Sequence, residues 1–474
     1  MSLRKQFISG TIYIAVTKYS SILIGLVIMA ILSRLLTPDD FGTVAIVSVL
    51  VVFFGLLGEL GIGPAIIQKK ELSKQDINVI FSFTILVGLT LAIVFFSLSP
   101  LVSSFYKQPV LKNICQLFSI TILFACTNIV PNALLLKEKN FKFLMFRQLS
   151  IQLICGTLGI FAALMDWGIY ALLIHSMSST ILTFSVNYLH RPIKIASINI
   201  LSLKKIARFS IYQFLFGFIN YFSRNLDKLL IGKFLSPAAL GYYEKSYRLM
   251  LMPVDNLTNV LTPVIQPFFS DFQDDKQRIY NAYLKIVKLL ALIGLPLSVF
   301  VHFSAKELIL LIFGDQWIAS IPVFEILAWS IGIQVILSSS GSIFQAANDT
   351  KRLFFAGLLT TSIMVSAILI AVFLFNNLEA IAYFLLIAFG LNFFSAYYIL
   401  IKKALRQSII PFFKQLFVPV LLAISVFALE FLFSRYVEIN NLYLSLGLKT
   451  GIFCIVFLPV VIINKNFTAL LHNN

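Results

Sequence analysis

Six ionisable residues fall inside two apolar segments joined by a tight turn: Arg224, Asp227, Lys228, Glu244, Lys245 and Arg248. A charge at the centre of a bilayer costs roughly 2.5–3.5 kcal/mol, so six facing lipid would cost about 15–20 kcal/mol. They are therefore expected to face protein or water and to mark the working site. Asp227 lies ten residues before the turn at Pro237 and Arg248 eleven after it; Lys228 lies nine before and Glu244 seven after. At ~1.5 Å per residue all four sit about 10–17 Å from the turn, near the midplane of a ~30 Å hydrocarbon core. Matched depth predicts the pairs Asp227–Arg248 and Lys228–Glu244. Glu244 and Arg248, spaced i,i+4 on one helix, offer an alternative pairing. Lys245 joins them as an ion-pairing or gating candidate. Four basic residues against two acidic leave a positive surplus. Arg224 and Lys228 share one helix face, and a guanidinium presents a planar fork to phosphate oxygens. Arg224 and then Arg248 are the candidate contacts for a phosphate-bearing anion, with Lys228 beside them. The rival reading is an ion-pair network that locks two helices together.

The remaining candidates are more scattered. Lys18 lies about 15 Å from the start of the first run. It can face Arg224 across a cavity or snorkel toward headgroups. Glu59, near the end of the second run, is a candidate coupling carboxylate or partner for Lys18. Glu325 can line a cavity or pair with a neighbour. Tyr221, Tyr242, Tyr243 and Tyr247 can stack on sugar rings or pack helices. Cys115, Cys126, Cys155 and Cys454 have no metal-like spacing and read as small core residues. The four histidines are dispersed, and neither a metal site nor a catalytic set is expected.

Helices must position these residues. The chain of 474 residues is 59% hydrophobic and 12% charged, with mean hydropathy +0.93, which excludes a soluble globular protein. The apolar runs are ~20 residues or longer and do not alternate, so helices are expected rather than a barrel. Fourteen spans are predicted, at about 8–36, 38–67, 78–104, 110–136, 142–165, 168–189, 209–235, 237–270, 280–304, 317–347, 351–376, 378–402, 410–434 and 443–464. The first run lacks a cleavage site and reads as a membrane helix rather than a signal peptide. Pro131, Pro253, Pro263 and Pro267 are candidate bending points.

A net charge of +17 would suggest nucleic acid in a soluble chain. Here alternate loops carry 23 Lys and Arg on one side, Arg147 counted among them, and 6 on the other, which excludes that partner and predicts both termini in the cytoplasm. The longest loop, about 190–208, is basic and amphipathic and is expected on the inner membrane face.

The halves are related. The block from Ser33 to Gly42 matches that from Gly232 to Gly241, an offset of 199 residues (Pro38 to Pro237). In each, Thr37 or Ser236 caps a helix, Pro38 or Pro237 fills its first turn, and a glycine follows four residues later. Six intervening spans make the repeats parallel. The expected fold is an all-α polytopic bundle. Residues 1–190 and 209–403 form two six-helix lobes joined by the 191–208 linker, and residues 404–474 add two more helices. The charged cluster does not repeat: Arg224 aligns with Gly25, Asp227 with Ile28 and Arg248 with Val49. An asymmetric site suits a cargo with one anionic end.

The hairpin Asn225–Leu226–Asp227–Lys228 through Gly241–Tyr242–Tyr243, and Leu35–Leu36–Thr37–Pro38–Asp39–Asp40–Phe41–Gly42, resemble the polysaccharide-transporter branch of the multidrug/oligosaccharidyl-lipid/polysaccharide exporter superfamily. The likeness is to Wzx-type O-antigen, colanic-acid or teichuronic-acid flippases. The resemblance implies a V-shaped bundle around a central cavity, alternating access, and a multi-pass protein of the bacterial cytoplasmic membrane. It implies a cargo of undecaprenyl-pyrophosphate-linked oligosaccharide flipped from inner to outer leaflet. It also implies membrane lipids and other polysaccharide-assembly proteins as partners, and a proton or sodium gradient in place of any cofactor. The alternatives are a drug or cation antiporter of the same fold, which would favour an acidic cavity, and a membrane glycan polymerase or ligase. The latter would need a large outer loop that this chain lacks.

Overall fold

The computed structural model describes residues 3–69, 71–270 and 275–463. Lys70, Lys465 and His472 lie outside them. Every regular element among the described residues is helical. The chain divides into two compact units, Met1–Gly241 and Tyr242–Asn474.

The first unit contains α1 (Leu3–Leu35), α2 (Pro38–Glu59), α3 (Ile62–Gln68), α4 (Lys74–Tyr106), α5 (Val110–Lys137), α6 (Phe141–Leu164), α7 (Ile169–His190) and α8 (Ile200–Phe234). The second holds α9 (Pro237–Ser270), whose first turn belongs to the first unit, and α10 (Lys276–Phe303). It continues through α11 (Ala305–Phe313), α12 (Ser320–Ala328), α13 (Ser330–Leu337), α14 (Ser340–Ala346), α15 (Thr350–Ile370), α16 (Leu378–Tyr398), α17 (Ile410–Tyr436) and α18 (Leu442–Ile463). The helices follow the apolar runs in order, except that α11 fills the gap between the ninth and the tenth. Eleven helices among the described residues are long and apolar enough to cross a membrane, or twelve if one bent pair counts as a single span. At 35 and 34 residues, α8 and α9 also exceed the ~20 residues a bilayer requires. Large apolar side chains stay exposed along these helices, among them Leu23, Leu101, Phe161, Leu374 and Ile455. Such a surface belongs to a multi-pass membrane protein.

Local chemistry sets the helix ends. Thr37 Oγ1 accepts from the Asp40 amide at 3.2 Å, while Asp40 Oδ2 accepts from the Thr37 amide at 3.0 Å. This reciprocal box, with Pro38 in the first turn, starts α2. Ser236 Oγ accepts from the Ala239 amide at 3.0 Å and starts α9, as the repeat predicts. Two runs expected to be single spans are broken. Leu60 and Gly61 both adopt left-handed backbone, at φ 45° and 70°, and separate α2 from α3. The tenth run bends by 48° between α12 and the α13–α14 segment. In contrast, α9 runs through Pro253, Pro263 and Pro267, and α5 runs through Pro131, without a break.

The 191–208 segment also departs from expectation. Only residues 191–199 lie between helices, and residues 200–208 are the opening turns of α8. Ile193 and Ile206 enter a core with Ile62, Ile66, Phe81 and Val130. The Ala196 amide donates to Ser82 Oγ at 2.8 Å, and Lys205 Nζ bonds Asp76 Oδ2 at 2.7 Å. The segment is thus anchored to α3–α5, while Ile195, Ile198, Ile200 and Leu201 stay exposed. Cysteines fill core niches: Cys115, Cys126 and Cys155 are buried, and Cys126 sits where a Cβ on Gly58 or Gly88 would collide with it.

The repeated blocks meet within the first unit. A Cβ added to Gly42 would lie 1.7 Å from the Pro237 carbonyl oxygen, and one added to Gly241 would lie 2.1 Å from the Pro38 oxygen. Each block's glycine therefore admits the other block's proline carbonyl, and only a residue without a side chain allows that approach. Gly42→Val is expected to destabilise the detergent-purified protein by about 1–3 kcal/mol, the range for overpacking against atoms that cannot yield. Gly447→Val, where an added Cβ meets nothing within 4 Å, is expected to leave thermal unfolding unchanged.

Candidate functional site

Packing of α8 on α2 creates the concave feature of the first unit. Tyr221 is buried, and its hydroxyl donates to the Val49 carbonyl at 2.6 Å, which spends its one polar atom on the neighbouring backbone. Its ring lies 5.3 Å from Phe53, which in turn meets Phe218 at 6.0 Å. Below this aromatic group is a cavity of about 420 Å³ walled by Val52, Gly55, Leu56, Ala125, Ile129, Tyr221 and Glu59. Among the described residues that line it, Glu59 alone is charged. Gly55 keeps the space open, since no atom lies within 4 Å of an added Cβ.

On α8, Arg224 is one turn beyond Tyr221 and Lys228 two turns beyond, so i, i+3 and i+7 line one face. Arg224 is exposed and Lys228 half-buried. Asp227 is buried, with Oδ1 accepting from the Lys228 amide at 2.8 Å. Lys18 on α1 is half-buried. The first unit therefore holds Lys18, Glu59, Tyr221, Arg224, Asp227 and Lys228. An apolar cavity with one carboxylate, next to a helix face with two cations, can hold an amphiphile whose charged end is anionic.

The other half of the sequence cluster belongs to the second unit. Lys245 is buried, with Nζ 4.9 Å from the Trp317 ring centroid and 5.0 Å from that of Phe313. A cation held against two aromatic faces is stabilised by their quadrupoles. That gives Lys245 a packing role that its sequence position did not reveal. Tyr242 meets Trp317 edge-on at 5.9 Å. Ser246 Oγ donates to the carbonyls of Ser320 and Tyr242, tying α9 to α12. Tyr243 is fully buried and stacks on Tyr247 at 5.5 Å. Tyr243 and Tyr221 therefore present no open ring face to a sugar in this conformation, while Tyr242 and Tyr247 are half-buried. Arg248 is exposed, and Glu244 and Glu325 are half-buried. The Glu325 carbonyl lies 3.0 Å from His302 Nδ1.

Two polar groups were not evident from spacing. Arg147 counts as a loop cation in the sequence, yet it stands within α6 and donates to Asn132 Oδ1 at 3.1 Å and Asn187 Oδ1 at 2.7 Å. Asn187, fully buried, donates in turn to Asn128 Oδ1 at 2.8 Å. The signal was available: Asn128 and Asn132 are i,i+4 within an otherwise apolar run. The second group joins Glu307 to Lys449 and Ser445. Among the described residues no three His, Cys, Asp or Glu side chains are placed to hold a metal ion.

A family model described as "Polysaccharide biosynthesis protein" matches residues 31–322. The lipopolysaccharide biosynthesis protein WzxC of Escherichia coli (strain K12) is 25% identical over 428 residues, covering 90% of this chain and 87% of that one. The teichuronic acid biosynthesis protein TuaB of Bacillus subtilis (strain 168) is 24% identical over 472 residues, covering 97% and 96%. Among solved structures, the lipid II flippase MurJ in an inward closed conformation superposes with a TM-score of 0.77 at 13% identity, covering 96% of this chain and all of that one (100%). At that identity the match establishes a shared fold.

Removing the Asn187 amide strands Asn128 and takes one of its two side-chain acceptors from Arg147. Asn187→Ala is expected to lower stability by about 1–2 kcal/mol, and Tyr221→Phe, which frees only one neutral carbonyl, by about 0.6 kcal/mol. Thermal unfolding of the purified variants, followed by tryptophan fluorescence, checks that order.

Proposed function

The chain belongs to the polysaccharide biosynthesis protein family, and from that premise we propose that it flips an undecaprenyl-pyrophosphate-linked oligosaccharide from the inner to the outer leaflet by alternating access. The repeat unit would be that of an O-antigen, capsule or exopolysaccharide. The reading draws on relatives named for lipopolysaccharide and teichuronic acid biosynthesis, and on a structural neighbour named a flippase of a lipid-linked precursor. The observation that carries it is the α8 face on which exposed Arg224 and half-buried Lys228 continue from the cavity wall at Tyr221. Two cations on one face near mid-depth suit a pyrophosphate, and the apolar cavity suits its lipid neighbour.

In this reading Arg224, Lys228, Lys18 and Arg248 contact the pyrophosphate. Asp227, Glu244, Lys245, Glu59 and Glu325 pair, gate or couple. Tyr242 and Tyr247 meet sugar, whereas Tyr221 and Tyr243 pack within their own units. Residues 1–190 and 209–403 act as the two repeats, with 404–474 added to the second. The protein lies in the bacterial cytoplasmic membrane with both termini inside, and it moves its cargo without making or breaking a bond. A cationic cargo is disfavoured, because the mid-depth cluster holds four basic residues against two acidic ones.

A guanidinium–phosphate hydrogen bond contributes about 1.5–3 kcal/mol, or about 10–150-fold in affinity. Arg224→Ala is expected to abolish surface-glycan export at normal membrane levels, and Arg224→Lys to retain part of it, because the charge survives without the fork. Unaltered export by the alanine variant would remove Arg224 from the site.

A further inference from the structure

The last two helices carry two charges deep within apolar sequence, Glu430 on α17 and Lys449 on α18. Both are buried, Glu430 completely and Lys449 to 7% exposure. Lys449 Nζ donates to Glu307 Oε1 at 2.5 Å and to the Phe303 carbonyl at 2.7 Å. Ser445 Oγ donates to the same Glu307 oxygen at 2.6 Å. Glu307 itself is 4% exposed, and its Oε2 has no hydrogen-bond partner. Neither carboxyl oxygen of Glu430 has one. Electrostatically, Glu430 senses Lys449 and Glu307, and Glu325 senses His302, Glu307 and Lys449. The one basic neighbour on α11, Lys306, is exposed, as is Arg435 on α17. All of these residues lie in the second unit.

The charge balance is informative. Lys449 and Glu307 neutralise each other, which leaves Glu430 as a third ionisable group with no donor and no exposed surface. A buried carboxylate without a hydrogen bond or ion pair costs several kcal/mol. Keeping a proton on it avoids that cost. The Lys449 ammonium already supplies one positive charge to the group, so a single proton balances the remaining carboxylate. We infer that Glu430, Glu307 and Lys449 form a proton-binding site that links a proton gradient to transport through α17 and α18. The link to transport rests on the function proposed above; the binding of the proton does not.

The site holds one proton in either of two neutral arrangements. In the first, Lys449 pairs with Glu307, as the hydrogen bonds in the structure show, and Glu430 carries the proton. In the second, Lys449 pairs with Glu430 and the proton resides on Glu307, still held by Ser445. Loss of the proton to water leaves a net negative charge, so release requires the site to be wetted. Wetting requires movement of α17 or α18 relative to α10 and α11, and that requirement ties proton release to conformational change.

Infrared difference spectroscopy on the purified protein tests the binding directly. As pH rises, wild type is expected to lose a protonated-carboxyl C=O band, and Glu430→Gln to lack that band. In Lys449→Met the band is expected to persist to higher pH by about 1–3 units, because an opposing positive charge is gone. A band that survives in Glu430→Gln, or a midpoint unmoved in Lys449→Met, overturns the proposal without touching the flippase reading. In proteoliposomes, an imposed pH gradient is expected to accelerate lipid-linked glycan movement by wild type, and Glu430→Gln is expected to retain only undriven movement. Gradient acceleration that survives in Glu430→Gln overturns the coupling. No glycan movement by wild type under any gradient overturns the flippase reading, and the infrared result then decides the proton site alone.

Discussion

Hydrocarbon solvates neither a charge nor an orphaned backbone group, and this constraint explains most of what the chain does with its few polar residues. Three cations set within helices have found different solutions. Arg147 is wrapped by side-chain amides from α5 and α7. Lys245 lies against two aromatic faces. Lys449 is neutralised by Glu307. The first solution adds no opposite charge, so it holds a cation in one place without competing for a proton. The third has an acid partner within reach of a second acid, and that arrangement can exist in more than one protonation state. Exposed Arg224 and Arg248 follow none of these patterns, which is why they are the groups assigned to an external anion.

The backbone repeats while the charge does not. Two Thr/Ser-Pro turns, each followed by a glycine four residues later, fit against each other so that either glycine receives the other block's proline carbonyl. The device depends on helix capping, a fixed proline φ and an absent Cβ, and all three are encoded locally. It can therefore be duplicated without reference to cargo. Charges need not be duplicated, since a cargo with one anionic end requires cations on only one side. Gly25, Ile28 and Val49 stand where Arg224, Asp227 and Arg248 would be if function had followed the skeleton.

Local rules made much of this legible from sequence. The helical membrane class, the order of the helices, the caps at Thr37 and Ser236, and the family followed from hydropathy and two short blocks. What sequence missed depends on tertiary neighbours. Nothing in the run 38–67 marked Leu60 as left-handed, a conformation that costs a non-glycine residue strain and persists only when surroundings hold it. Arg147 looked like a loop cation because its amide partners lie 15 and 40 residues away. The amphipathic 191–208 stretch did not show that Ile193 and Ile206 enter a core against α3–α5, because a core and a lipid interface impose the same apolar stripe. Tyr221 and Tyr243 were equally ambiguous, since tyrosine suits both packing and sugar contact.

A proton site composed of groups other than the cargo contacts has an energetic advantage. A pyrophosphate placed against the proton-binding carboxyl would hold that proton by direct attraction, whatever the gradient, because unit charges a few ångströms apart interact by several kcal/mol at protein-like dielectric. The proton would then report cargo binding and not the side of the membrane to which the protein is open. Keeping Glu430, Glu307 and Lys449 on elements that carry none of Arg224, Lys228 or Arg248 avoids that cross-talk. Communication must then pass through helix movement. The α17–α18 pair is suited to this, since α17 packs along α10 and α18 along α10 and α11, the segments that carry His302 and Glu307. On this view the two helices outside the six-helix repeats are not padding: they complete a site that α10 and α11 could not form alone.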